Sequence, residues 1–188
     1  MKPPDLVSRT RLLDGKVFDV ERDRVRFEDG RQVDLDVVRH RPSVVLIPMP
    51  SKDEVILVRQ YRHAIAKWIW ELPAGTTERD EDLEIAAARE CHEEIGLYPQ
   101  KLTLLGTLYP TPGFCDEAMN FYLAEDLRDP GHGAAHDEDE QLEPKTLRLD
   151  EVEAMARRGE LEDMKTVCGL ELLRRWRDSS SPPAAPRR

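Results

Sequence analysis

Three glutamates set the chemistry that this chain can offer. Glu90, Glu93 and Glu94 stand at i, i+3 and i+4, and on a helix that spacing gathers them within an arc of about 100°. At an exposed site such neighbours repel by about a few tenths of a kcal/mol per pair. Buried together, they cannot all stay ionised without a counter-charge. A patch of hard oxygen ligands that leaves its coordination shell incomplete suits Mg²⁺ or Mn²⁺, with substrate phosphates filling the remaining positions. A generic Glu-rich helix is only a solvated acidic face, and spacing separates this one from that case. The segment from Gly75 to Leu97 reads G-x5-E-x7-R-E-U-x-E-E-x-G-U with U apolar, filled by Gly75, Glu81, Arg89, Glu90, Cys91, Glu93, Glu94, Gly96 and Leu97. At about 7% per residue type, seven fixed positions match by chance at about 10⁻⁸ per starting point.

That pattern is the Nudix box, and the chain resembles the Nudix hydrolases. Cys91 fills an apolar position where aliphatic residues are commoner, and cysteine packs there as a small hydrophobe. The resemblance implies an α/β/α sandwich around a mixed β-sheet, preceded by an N-terminal antiparallel β-subdomain, with the box as a loop–helix–loop. It implies metal-dependent hydrolysis of a nucleoside diphosphate linked to another group, with Mg²⁺ as cofactor and Mn²⁺ as its substitute. By the same resemblance Glu90 and Glu94 are core metal ligands, Glu93 a further or supporting one, and the Ala74 carbonyl another. Glu93 and Glu94 are thereby also catalytic candidates. Arg89 orients a glutamate of the box, and Glu81 lies near the metals or supports the loop.

Flanking segments narrow the choice. WELPAG (Trp70–Gly75), VRQYRHA (Val58–Ala64), YPTPGFCDE (Tyr109–Glu117), DMKTVCGL (Asp163–Leu170) and Pro112, fifteen residues beyond Leu97, are similar to the ADP-ribose pyrophosphatase group. The similarity spans residues 12–177. It implies cleavage of ADP-ribose to AMP and ribose 5-phosphate, with Glu117 as an extra catalytic glutamate. GDP-mannose or UDP-glucose is the alternative substrate. A catalytically dead ADP-ribose-binding regulator is a third reading, which the intact box disfavours.

Physical reasoning adds candidates for substrate contact. A guanidinium matches phosphate geometry bidentately, which points to Arg62 and Arg59. Strand alternation places these two on opposite faces, and Arg62 is favoured. Phe27, Tyr61, Trp68 and Trp70 are candidates for stacking on a base. Phe27 belongs to a Val25–Val38 hairpin, and relatives build the adenine pocket partly from the N-terminal sheet of a second subunit. A homodimer is therefore expected.

These groups need a scaffold, and hydrophobic patterning supplies one. Val25 and Phe27, a Glu28-Asp29-Gly30 turn, then alternating Val33, Leu35 and Val37 read as a half-buried hairpin. Ser43–Met49 is a continuous apolar run, hence a fully buried strand. Glu54–Arg62, Lys101–Pro110 and Met119–Ala124 are further strands. The spacing predicts helices from Asp82 to Ile95, from an Asp150 N-cap to Gly159, and over Lys165–Asp178 with Val167, Leu170, Leu173 and Trp176 on the buried face. Residues 1–40 read as the N-terminal β-subdomain contributing to dimerisation and the substrate pocket, 41–178 as the hydrolase domain, and 179–188 as a disordered Ser/Pro-rich tail.

Composition sets the outer limits. The 188 residues carry a net charge of −10, which argues against sequence-independent nucleic-acid binding and against anionic membrane surfaces. Residues 71–94 and 125–143 carry −7 each. The second window includes His132, His136 and an Asp137–Glu140 run, and reads as a long solvated loop without a catalytic role. Cys91, Cys115 and Cys168 form no CxxC pair, there is no secretory h-region, and a cytoplasmic location is expected.

Overall fold

A computed structural model of the chain describes residues 2–131 and 142–180. Its strands are β1 (Asp5–Asp14), β2 (Phe18–Arg26), β3 (Gln32–His40), β4 (Ser43–Pro48), β5 (Glu54–Arg62), β6 (Lys67–Glu71), β7 (Ala74–Thr76), β8 (Tyr98–Leu108), β9 (Met119–Arg128) and β10 (Leu142–Arg148). The helices are α1 (Leu83–Ile95), α2 (Leu149–Arg157) and α3 (Met164–Ser180). Three sheets result, ordered β1-β2-β3, β10-β5-β6 and β7-β4-β9-β8. Among the described strands the β4–β9 pairing is parallel and every other strand-to-strand pairing antiparallel, so the four-stranded sheet is mixed.

The apolar run at β4 follows from its place at the centre of this sheet. Val45 and Ile47 enter one core with Leu57, Leu72, Phe121, Leu123 and Leu173. Val44 and Leu46 enter a second core with Ala86, Ala87, Cys91, Tyr122 and Ala124. With both faces covered, alternation disappears from the sequence. Each fully buried Val, Leu or Ile there stabilises the fold by about 1.5–3 kcal/mol. One face of β4 thus meets α1 and the other meets the β10-β5-β6 layer and α3, which is the expected sandwich.

The N-terminal hairpin is present as β2 and β3, closed at Arg26↔Gln32. It gains a third strand, β1, whose residues are all exposed. Three local readings change. The N-cap of α2 is Arg148, not Asp150: β10 runs straight into the helix, Leu149 N–H donates to the Asp53 carbonyl (2.9 Å), and Asp150 is gripped by the Arg148 guanidinium. Helix α3 covers residues 179 and 180, the first two assigned to the tail. Of the four residues expected on its buried face, Leu170, Leu173 and Trp176 do pack in or against the core, and Val167 does not. Thr166 and Leu173 are buried and Val167 is exposed. The helix axis comes so close to the sheet that a Cβ on Gly169 would stand 2.5 Å from Leu72 Cδ1. His132, His136 and the Asp137–Glu140 run lie outside the described residues.

Candidate active site

Helix α1 begins at Asp82, whose carboxylate accepts from the Glu84 and Ile85 amides, and ends at Gly96. Its apolar residues Ala86, Ala87 and Cys91 pack on β4. The same anchoring turns Glu94 (2% exposed) and Glu90 (9%) towards β7. Glu94 Oε2 accepts from the Ala74 amide at 3.1 Å. Glu90 lies against Gly75 so closely that a Cβ there would be 2.0 Å from its carboxyl carbon. The glycine that opens the box is thus a matter of space.

The counter-charge is Arg89. Its Nε and Nη2 each donate to one oxygen of Glu81 at 2.9 Å, and Nη1 donates to Glu90 and Glu93, both at 2.7 Å. One guanidinium thereby holds three carboxylates of the box. Hydrogen bonding to Arg89, foremost, holds Glu81 below the usual carboxylate range, against the opposing effect of burial. The donor set of Glu90, Glu93 and Glu94 is hard oxygen throughout and fits a divalent cation of the Mg²⁺ or Mn²⁺ type in chemistry. Among the described residues, no three acidic, His or Cys groups already converge as a finished metal cage. Arg89 and the Ala74 amide engage the carboxylates instead.

Beside the box lies a cleft of about 470 Å³. Its lining includes Ser43, Ala74, Gly75, Thr76 and Glu117 together with Arg62, Glu71, Asp163 and Lys165. Glu117 Oε1 accepts from Ser43 Oγ at 2.6 Å. The loop before it is stitched to β3: Val38 N–H donates to the Phe114 carbonyl (2.7 Å), and Asp116 N–H to the Val38 carbonyl (3.2 Å). The Asp116 carboxylate accepts from the His40 amide (2.8 Å) and from Arg39 Nη1 (3.0 Å). A Pro/Gly-rich sequence is thus held to β3 immediately before the candidate glutamate.

The cleft therefore collects Ala74, Arg62 and Glu117 from the residues singled out in the sequence, with Glu90 and Glu94 packed beneath its β7 wall. Arg59, Trp70, Phe27 and Pro112 do not line it. Arg59 is exposed on the other face of β5 and lies over the Trp68 ring at 5.7 Å. Trp70 packs against the core, with Lys145 over its ring. Phe27 sits in the β2–β3 turn under Arg31, and Pro112 is exposed in the loop before Glu117. Tyr61 and Trp68 pair with ring centroids 5.7 Å apart on an exposed face.

Ser43, Glu71, Asp163 and Lys165, which also line the cleft, lacked any individual sequence-level role. For Glu71 a signal existed. It occupies the inward-facing position two residues after buried Ile69, where a charge is out of place without partners. Burial is the largest influence on it and pushes its pKa up, but Arg62 and Lys165 outweigh burial and leave it below the usual range.

A profile of the NUDIX domain matches residues 39–167, and the chain belongs to the NUDIX family. The ADP-ribose pyrophosphatase of Bacillus subtilis (strain 168) is 30% identical over 167 residues, covering 89% of this chain and 90% of that protein. The ADP-ribose pyrophosphatase of Mycobacterium tuberculosis is 34% identical over 167 residues, covering 88% and 81%. A GDP-mannose pyrophosphatase from Citrobacter koseri is 33% identical over 156 residues, covering 73% and 80%. The crystal structure of an ADP compounds hydrolase superposes with a TM-score of 0.83 at 24% identity, covering 96% of this chain and 97% of that one. That likeness is one of fold. With the site, these relatives make the chain a Nudix pyrophosphohydrolase. Nudix hydrolases generally use divalent metal ions. No helix among the described residues is long and apolar enough to cross a membrane.

Proposed function

We propose that this enzyme hydrolyses the pyrophosphate of ADP-ribose to AMP and ribose 5-phosphate, with Mg²⁺ as cofactor and Mn²⁺ able to replace it. The observation that carries the reading is the placing of buried Glu90 and Glu94 under the Ala74–Gly75 wall of a cleft that also holds Arg62 and Glu117. Glu90, Glu93, Glu94 and the Ala74 carbonyl would hold the cations, Glu90 and Glu93 exchanging Arg89 for them. When bound, divalent cations offset phosphate charge and lower the pKa of a coordinated water. Arg62 orients the diphosphate through the guanidinium edge that Glu71 does not use. Glu117 accepts a proton at Oε2, since Oε1 already accepts from Ser43.

The adenine contact is assigned to Phe27 and the N-terminal sheet of a second copy. That sheet exposes Leu6, Leu13, Phe18 and Leu35, apolar area that a homodimer would cover. The enzyme is placed in the cytoplasm, with neither nucleic acid nor membrane as partner. GDP-mannose is the competing substrate, favoured by the relative of that name.

A panel of ADP-ribose, GDP-mannose and UDP-glucose with Mg²⁺, read by product chromatography, tests the assignment. AMP and ribose 5-phosphate are expected from ADP-ribose. Cleavage of GDP-mannose with ADP-ribose untouched would refute it. Glu94→Gln should abolish turnover in a folded protein; near-normal activity would remove Glu94 from the metal site.

A further inference from the structure

We propose that Lys165 is a positioning residue for the diphosphate, acting on substrate through Glu71 and Arg62. The inference rests on the reading of the cleft as the diphosphate site. Glu71, at the end of β6, is 1% exposed. Its Oε1 accepts from Arg62 Nε (2.7 Å) and its Oε2 from Arg62 Nη2 (2.6 Å). Lys165 Nζ also donates to Oε2. The bidentate pair occupies one edge of the guanidinium and leaves Nη1 outside it, on a side chain that keeps 42% of its exposure. Arg62 can therefore present a fixed edge to the cleft only while Glu71 stays fixed.

Lys165 does the fixing. It stands in the first turn of α3, 94 residues from Glu71 in sequence, and is 8% exposed. Its other partner is Asp163 at 3.1 Å. Asp163 is itself anchored, accepting from the Thr166 amide (2.9 Å) and hydroxyl (2.6 Å). Thr166 Oγ in turn accepts from the Leu72 amide, the residue next to Glu71. The four charges Arg62, Glu71, Lys165 and Asp163 sum to zero. The arrangement thus ties the start of α3 to the strand end that carries the arginine's anchor. Lys165 has its ammonium engaged by two carboxylates and is nearly buried, so it acts on substrate through Arg62 and does not touch it. Stability alone gives little reason for such a cluster, since apolar residues of like volume commonly replace buried ion pairs at no loss.

The test is a double-mutant cycle on the full chain with Mg²⁺ and ADP-ribose. Lys165→Met is expected to raise KM about tenfold, as loss of a supporting partner does elsewhere, with kcat nearly unchanged because the lost contact is uniform binding. In an Arg62→Ala background the same substitution should add less than a twofold change, and Lys165→Arg should restore KM. A full-sized effect of Lys165→Met in the Arg62→Ala background overturns the proposal, as does an unchanged KM in folded Lys165→Met. Should Lys165→Met not fold, Lys165→Gln takes its place in the cycle. The cycle is also read by calorimetric binding of ADP. It therefore reports on Lys165 even if ADP-ribose proves not to be the substrate, a failure that would appear in the wild type alone.

Discussion

Replacing Gly75 with alanine separates the site from the fold. The added methyl would stand 2.0 Å from the Glu90 carboxyl carbon and 2.1 and 2.2 Å from its oxygens, where ordinary contact starts at 3.4 Å. The carboxylate must retreat by about 1.4 Å, the difference between those distances. Gly75 is not among the residues at positive φ, and what the methyl meets is the tip of a flexible side chain. The backbone therefore accepts the change, and Tm should move by no more than about 4 °C, equivalent to about 1 kcal/mol in a chain of this size. Metal sites tolerate ligand displacements of only about 0.2 Å, so Glu90 would be lost as the proposed ligand. A misplacement of about 1 Å near reacting groups costs about 100-fold in rate. Gly75→Ala should thus lower kcat/KM for ADP-ribose about 100-fold and raise the Mg²⁺ concentration for half-maximal activity at least about tenfold. A phosphatase-coupled assay over a Mg²⁺ series, beside a thermal melt, reads both. A variant with wild-type Mg²⁺ dependence and turnover would refute the role given to Glu90.

Two further outcomes follow from the charges and thiols. The Arg9 guanidinium foremost, with Arg39, holds Asp23 below the usual carboxylate range against the effect of burial. The unfolded chain then binds more protons than the folded one near pH 4, so this stabilisation is complete above 3.8 and is lost as pH falls below it. Tm measured from pH 7 to 3 should fall less steeply for Asp23→Asn at the acid end; parallel curves would count against the pairing. Burial pushes the Cys91 thiol up to about 12. A disulfide reagent at pH 8 should therefore titrate at most two of the three thiols until denaturant is added, and a third reacting in the native protein would contradict the packing of α1.

The legible parts of this chain were those that a local period reports. Box spacing located α1 and its carboxylates, because a helix buried on one side must repeat its apolar residues every three or four positions. The run at Ser43–Met49 disclosed a central strand because burial on both faces leaves an unbroken apolar segment. Arg89 binding Glu81, Glu90 and Glu93 together was less visible, since its three partners share a helix end and a loop whose path spacing does not fix. The Glu71–Lys165 contact was invisible, since nothing local marks two residues 94 positions apart as neighbours. Val167 misled because Gly169, on the face shared by Thr166, Leu173 and Trp176, brings that face close to Leu72 and leaves Val167 outside it. The acidic window at 71–94 also changes meaning. Four of its nine acids are already matched by Arg89, Arg62 and Lys165, so its −7 is not a bare repulsive patch.

The stitching of the Glu117 loop to β3 has a consequence for where stability matters. Among the described strands, those of the β1-β2-β3 sheet pair with one another and with no other strand, and its outer strand has no buried residue within one chain. Such regions open locally at a lower free energy than a core strand like β4. The loop bearing Glu117 takes part of its order from that sheet, through the Val38–Cys115 bridge and the Arg39–Asp116 pair, and part from Ser43 of β4. On the role proposed for Glu117, working enzyme requires the less protected unit of the molecule to be closed. The four-stranded core can remain intact while the Glu117 loop has already lost its support on the β3 side.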